Sequence, residues 1–172
     1  MDDAVNVIRL LLGLAGMVMA AHAETEPTAP AMRVAPPAPM FELSDATGAV
    51  VKLAECRSAA VIVTFFLSRD RPSARQIQSL GALRKKYGSA EVAEFGVALD
   101  TGSDAELRTN VAERPVDFPM LRCNRKTLDG FGGITAVPTT FVLDQNRNII
   151  QRHVGFVEPV VLEGDLKIIL RK

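Results

Sequence analysis

Ala59-Ala-Val-Ile-Val-Thr-Phe-Phe66 is the stretch that most limits how this chain can fold. Apart from Thr64 it is apolar and rich in β-branched and aromatic residues, and polar residues lie close on both sides. A strand of this kind shows no alternation, so both of its faces must be covered, as in a sheet that carries helices on either side.

Segments able to supply those layers surround it. Upstream, Phe41–Leu53 reads as two short alternating runs around a turn containing Asp45 and Gly48, a hairpin pattern. Downstream, Ile77, Leu80, Leu83 and Tyr87 recur at helical spacing, which predicts a helix over Arg71–Tyr87 with Asp70 as its N-cap and Pro72 in its first turn. Val92–Leu99 reads as a second buried strand, and Ser103-Asp-Ala-Glu106 is a capping box opening a helix to about Glu113. Phe118–Leu121 is a short strand, followed by a helix from Lys126 to Phe131 that Gly132 and Gly133 stop. Thr139–Leu143 and Ile149–Val154 flank the polar turn Asp144–Asn148 as a hairpin, and Pro159–Leu170 closes the chain as an amphipathic helix weakened by Gly164. Strands alternating with helices and ending in a hairpin demand a mixed sheet with helices on both faces, an α/β fold.

The N-terminal region reads differently. Leu10–Ala21 is apolar after Arg9, and Ala21-His-Ala23 follows as an A-x-A cleavage pattern, so residues 1–23 read as a signal peptide cut after Ala23. Asp2 and Asp3 cancel the usual positive start, which keeps an uncleaved leader acting as a membrane tether as the alternative. The apolar run is too short for a transmembrane span. Residues 24–39 hold five of the ten prolines and read as an extended tether, leaving 40–172 as the folded domain. Export to the periplasm or beyond is the expected localisation.

Twenty Lys and Arg balance twenty Asp and Glu, which removes the field that a nucleic-acid binder needs. Two His and no Trp leave little material for a His-based metal site or a stacking platform. No phosphate-binding loop or G-x-S-x-G motif is present, and neither a metal nor a cofactor is expected.

The element order, Ala38-Pro-Met-Phe-Glu-Leu43 before the first hairpin, Ile62-Val-Thr-Phe-Phe66, Ala136-Val-Pro-Thr-Thr-Phe-Val-Leu-Asp144 and Arg152-His-Val-Gly155 together resemble the thioredoxin fold in its TlpA-like and AhpC/TSA redoxin branch. The resemblance spans roughly residues 38 to 170. It implies a three-layer α/β/α sandwich with a mixed central sheet, an N-terminal β-hairpin and a strand-helix insertion. It also implies a cis peptide bond before Pro138, and relatives that carry out thiol-disulfide exchange.

The departure lies at the catalytic turn. Where the resemblance implies Trp-Cys-x-x-Cys, this chain has Arg69-Asp70-Arg71-Pro72-Ser73, and the helical acid and proline that often follow fall on Gln76 and Gln78. Dithiol exchange needs a low-pKa thiolate at a helix N-terminus and a nearby resolving thiol. An aspartate cannot attack sulfur. Asp70 therefore reads first as an N-cap, and secondly, with Arg69, Arg71, Ser73 and Arg75, as part of a polar binding surface. Val137, Pro138 and Thr139 are the matching candidates for pairing with an extended protein or peptide client by strand addition.

Cys56 and Cys123, 67 positions apart, are the only cysteines. A structural disulfide worth about 4 kcal/mol is the leading expectation for an exported chain. Two free thiols and a relocated redox pair, with Arg57, Arg122 and Arg125 nearby in sequence, are the alternatives. His153 in the last strand reads as structural. The functional expectation is a redox-inactive binding or accessory module, with an oxidoreductase using Cys56 and Cys123 or a structural subunit of an envelope complex as the other readings.

Overall fold

The computed structural model describes residues 35–100, 103–113 and 116–171, so the proposed signal peptide and residues 24–34 lie outside the described residues. The elements are β1 (Glu42–Ser44), β2 (Val50–Lys52), β3 (Ala60–Phe66), α1 (Arg71–Tyr87), β4 (Val92–Ala98), α2 (Asp104–Glu113), β5 (Met120–Arg122), α3 (Arg125–Gly130), β6 (Thr139–Leu143), β7 (Ile149–Val154) and α4 (Pro159–Leu170).

The strand order β5-β4-β3-β6-β7 places the apolar run at the centre of a five-stranded sheet. β3 runs parallel to β4 and antiparallel to β6, and every one of its residues is buried. Its side chains alternate between two cores. Ala60, Ile62 and Phe66 meet Ile77, Leu80 and Leu83 of α1, Leu107 of α2 and Leu162 and Leu166 of α4. Val61, Val63 and Phe65 meet Phe131 at the end of α3 and Phe41, Leu43 and Leu53 of the N-terminal hairpin region. The Phe65, Phe131 and Phe141 rings pack edge to face, at centroid separations of 4.8–5.9 Å. This mixed sheet with covered faces is the thioredoxin-like architecture expected above.

Local chemistry sets the helix starts. The Asp70 carboxylate accepts the Ser73 N–H at 2.8 Å, and the Ser103 and Glu106 side chains cap each other's backbone N–H groups. α3 begins at Arg125, one residue earlier than read from sequence, because Asn124 accepts the Thr127 N–H at 2.8 Å and acts as cap. β5 starts at Met120 rather than Phe118, since Pro119 has no N–H to contribute and its carbonyl accepts from Gly96.

The tether boundary needs correction. Pro36 and Ala38 belong to the folded body: the Ala38 N–H donates to Arg147, Pro36 accepts from the Ile149 N–H, and Pro37 bridges Asn148. Proline carbonyls still accept, and Ala38 supplies the one N–H that this edge contact needs. Opposite it, the buried Arg147 guanidinium donates to the carbonyls of Cys56, Ser58 and Asp144, tying the β6–β7 turn to the segment entering β3.

Glu94 stands in the middle of the apolar strand β4 and is fully buried. Arg84 of α1 donates to its Oε2 at 3.0 Å, while Oε1 has no hydrogen-bond partner. Burial pushes its carboxyl up to about 7, against the opposing pull of the Arg84 guanidinium. A folded-state value above the unfolded one means that the native state holds more protons between the two, so stability falls as pH rises from about 4.5 towards 7. Urea unfolding across that window should show a loss on the order of 2–3 kcal/mol in wild type that is absent in Glu94→Gln; parallel slopes in the two proteins would count against it.

Candidate functional site

Register decides which loops share an end of the sheet. Phe65 pairs with Thr139 and Phe66 with Ala98, so the turn after β3, the loop after β4 and the segment before β6 all emerge at the same pole. The β7–α4 loop joins them, since Thr139 pairs with Val154.

The turn after β3 is anchored from below. Ser68 is buried, and its N–H and hydroxyl both donate to the Asp100 carboxylate at 2.9 Å, while Asn110 of α2 donates to the Ser68 hydroxyl at 2.6 Å. Asp70 then turns inward to cap α1, and Ser73 is wholly buried with its hydroxyl accepting from the Leu67 N–H at 3.4 Å. Arg69, Arg71 and Pro72 are left exposed around the tip. The Arg75 guanidinium lies 4.1 Å from the centre of the Phe156 ring and 3.8 Å from Glu158, so it braces α1 against the β7–α4 loop. Gln76 is buried beneath it and accepts the Val157 N–H at 2.8 Å.

The Val137–Pro138 peptide bond is cis. The Pro138 carbonyl accepts from Gly155 at 2.7 Å, and the Thr139 hydroxyl donates to the Ala136 carbonyl at 2.7 Å. Between these two fixed points Val137, half-buried, makes no hydrogen bond through its backbone among the described residues. A free N–H and C=O beside an exposed turn is the geometry that adding an extended strand requires. Among the described residues no three His, Cys, Asp or Glu side chains gather as a metal site would need.

Comparison with known proteins fits this frame. The model of the AhpC/TSA family matches residues 34–152. The chain belongs to the AhpC/TSA family. The thiol-disulfide oxidoreductase ResA of Bacillus thuringiensis (strain Al Hakam) is 23% identical over 136 residues, 79% of this chain and 78% of that protein. ResA of Geobacillus thermodenitrificans (strain NG80-2) is 29% identical over 147 residues, 83% and 80% of the two chains. A crystal structure of a thiol:disulfide interchange protein of the thioredoxin family from Chlorobium tepidum TLS superposes with a TM-score of 0.72 at 23% identity, covering 81% of this chain and 99% of that one. This AhpC/TSA family member is thus related to thiol-disulfide oxidoreductases and has a thioredoxin-like fold.

The disulfide expected from sequence is not formed: both cysteines are free and half-buried. Cys56 precedes the start of β3, whereas Cys123 follows the end of β5, and β3, β4 and β5 are parallel. About 20 Å of strand therefore separates the two ends, far beyond the reach of a disulfide. The Cys56 thiol faces the Ser58 hydroxyl at 3.7 Å. Burial pushes the Cys123 thiol up to about 11, away from the thiolate that exchange needs. His153 holds Asp165 of α4 at 2.6 Å, joining the last strand to the last helix.

The structure brings Asp70, Ser73, Val137, Pro138 and Thr139, all named from the sequence, to one pole, on a support that the sequence reading does not name. Asp100, Asn110 and Phe156 lie in three separate loops or helices, and only Gln76 had a sequence signal, its position where the resemblance expects an acid. Two outcomes follow from this geometry. Asp70→Ala should lower unfolding stability by about 1 kcal/mol, with Asp70→Asn closer to wild type, in urea titrations. Alkylation of unfolded, unreduced protein should add two labels by intact mass; labels that appear only after reductant would instead mean a disulfide.

Proposed function

We propose that this chain is an exported, redox-inactive member of its family that works by binding an extended protein segment. The observation that carries this reading is the tip of α1, where Asp70 and Ser73 occupy the positions at which the resemblance implies the two cysteines. The Asp70 carboxylate is engaged as the helix cap, and Ser73 is buried beneath the turn. Neither can form a mixed disulfide. The docking half of the site fares better, because among the described residues the Val137 backbone stays unpaired beside Pro138 and the flanking loops are held by Gln76 and Arg75. The A-x-A pattern at Ala21–Ala23 supports export. Among the described residues no helix is long and apolar enough to cross a membrane. The relocated oxidoreductase reading is weaker, because Cys56 and Cys123 lie at opposite ends of the sheet.

Titration of labelled protein with cysteine-free extended peptides should shift the backbone amides of Val137 and of the Asp70–Ser73 turn, with no reduction of a disulfide substrate at any concentration. Absence of those shifts would remove the binding reading. Reductase activity that survives replacement of both cysteines by serine would also defeat it.

A further inference from the structure

Arg69 and Arg71 at the tip of α1 are exposed, and among the described residues no carboxylate meets either of them. Local helix chemistry does not call for these cations. Arg71 opens α1, where the positive end of the helix disfavours a cation, and no acidic residue stands in that first turn. The described carboxylates around the turn are already engaged. Asp70 accepts the Ser73 N–H, Asp100 accepts from Ser68, Glu106 accepts the Ser103 N–H and Glu158 faces Arg75.

These two guanidiniums share a pole with the unpaired Val137 backbone. Phe65 pairs with Thr139, so Arg69, four residues after Phe65, and Val137, two residues before Thr139, leave adjacent strands at the same end. One loop fastens the two segments together. Gly155 donates to the Pro138 carbonyl at 2.7 Å, the Val157 N–H donates to Gln76 of α1 at 2.8 Å, and Arg75 lies over the Phe156 ring. The tip of α1 and the Val137 edge are thereby held as one surface that offers main-chain hydrogen-bonding groups and two unmatched cations.

Resting on the binding reading above, we infer that the extended segment docked along Val137 is acidic, its Asp or Glu carboxylates received by Arg69 and Arg71. Main-chain pairing at Val137 carries little sequence information, because every residue except proline offers the same N–H and C=O. The arginines supply what it lacks. A guanidinium fork matches a carboxylate through two parallel N–H···O bonds, which neither an amide nor an ammonium side chain reproduces. Acidic side chains at alternate positions of an extended strand share one face about 7 Å apart, within the span that two long, flexible arginines can follow. Because Asp70 already caps α1, the guanidiniums and not the helix end provide this recognition. Exposed pairs of this kind are individually modest and screened by salt, so the selectivity is a ratio of affinities that shrinks as ionic strength rises.

Three cysteine-free peptides of one extended sequence, carrying Glu, Gln or Lys at two alternate positions, test this when titrated into the exported chain with the Val137 amide followed by NMR. At low ionic strength the Glu peptide should bind about tenfold more tightly than the Gln peptide, and the gap should close as salt is added. The Lys peptide should bind weakest. Arg69→Gln with Arg71→Gln should bring the Glu peptide level with the Gln peptide on the same variant, and Arg69→Glu with Arg71→Glu should make the Lys peptide the tightest of the three. Removing cations from the start of a helix favours the helix, so the thermal midpoint of these variants should equal or exceed that of wild type, which separates lost selectivity from lost folding. Glu and Gln peptides that shift Val137 with equal affinity leave client binding standing and overturn the acidic preference. A Glu preference that persists in the arginine variants overturns it too, as does Glu-peptide binding that leaves Val137 unshifted. No shift from any of the three peptides removes the binding reading and this inference together.

Discussion

Double-sided burial of β3 is the constraint on which the rest depends. A strand without a polar face must pair on both edges and be covered on both sides, and here β4 and β6 take the edges while helices and the N-terminal hairpin take the faces. The mixed pairing then sorts the loops. Parallel β4 and antiparallel β6 deliver the turn after β3, the loop after β4 and the segment before β6 to one pole, whereas the entry to β3 and the β6–β7 turn go to the other. Every functional candidate inherits its neighbours from this sorting, including the two cysteines that it keeps apart.

At the pole that carries the turn after β3, the tip of α1 shows how a helix N-terminus can be satisfied in chemically different ways. The unpaired N–H groups and the positive end of the dipole favour any anion or strong acceptor. A thiolate placed there is activated for exchange, whereas a carboxylate that accepts the Ser73 N–H stabilises the same backbone and offers sulfur nothing. Gln76 follows the same logic, since a neutral amide buried under the turn can accept the Val157 N–H without the penalty of a buried charge. The frame persists because its backbone needs are met, whatever chemistry the tip performs.

Buried polar groups elsewhere serve similar ends with different margins. Arg147 satisfies three carbonyls and ties the β6–β7 turn to the entry of β3. Glu94 is less complete, with one oxygen unpartnered inside a strand of apolar neighbours. Burying a carboxyl under such conditions favours its neutral form, so the α1–β4 contact at Glu94 is tied to proton activity.

Elements with strong local signals were legible in the amino-acid sequence. α1 and α4 begin and end where periodicity, caps and prolines placed them, and the Ser103–Glu106 box forms as read. The family resemblance likewise rested on contiguous stretches. What one chain segment could not reveal were relations between segments: the docking of Pro36 and Ala38 on the β6–β7 turn, the Ser68–Asp100–Asn110 anchor, and the separation of Cys56 from Cys123. Periodicity and capping are properties of residues a few positions apart and are written directly in the sequence. Register and strand direction exist only once the sheet has assembled, so tertiary structure alone decided which residues meet at a pole and which cannot.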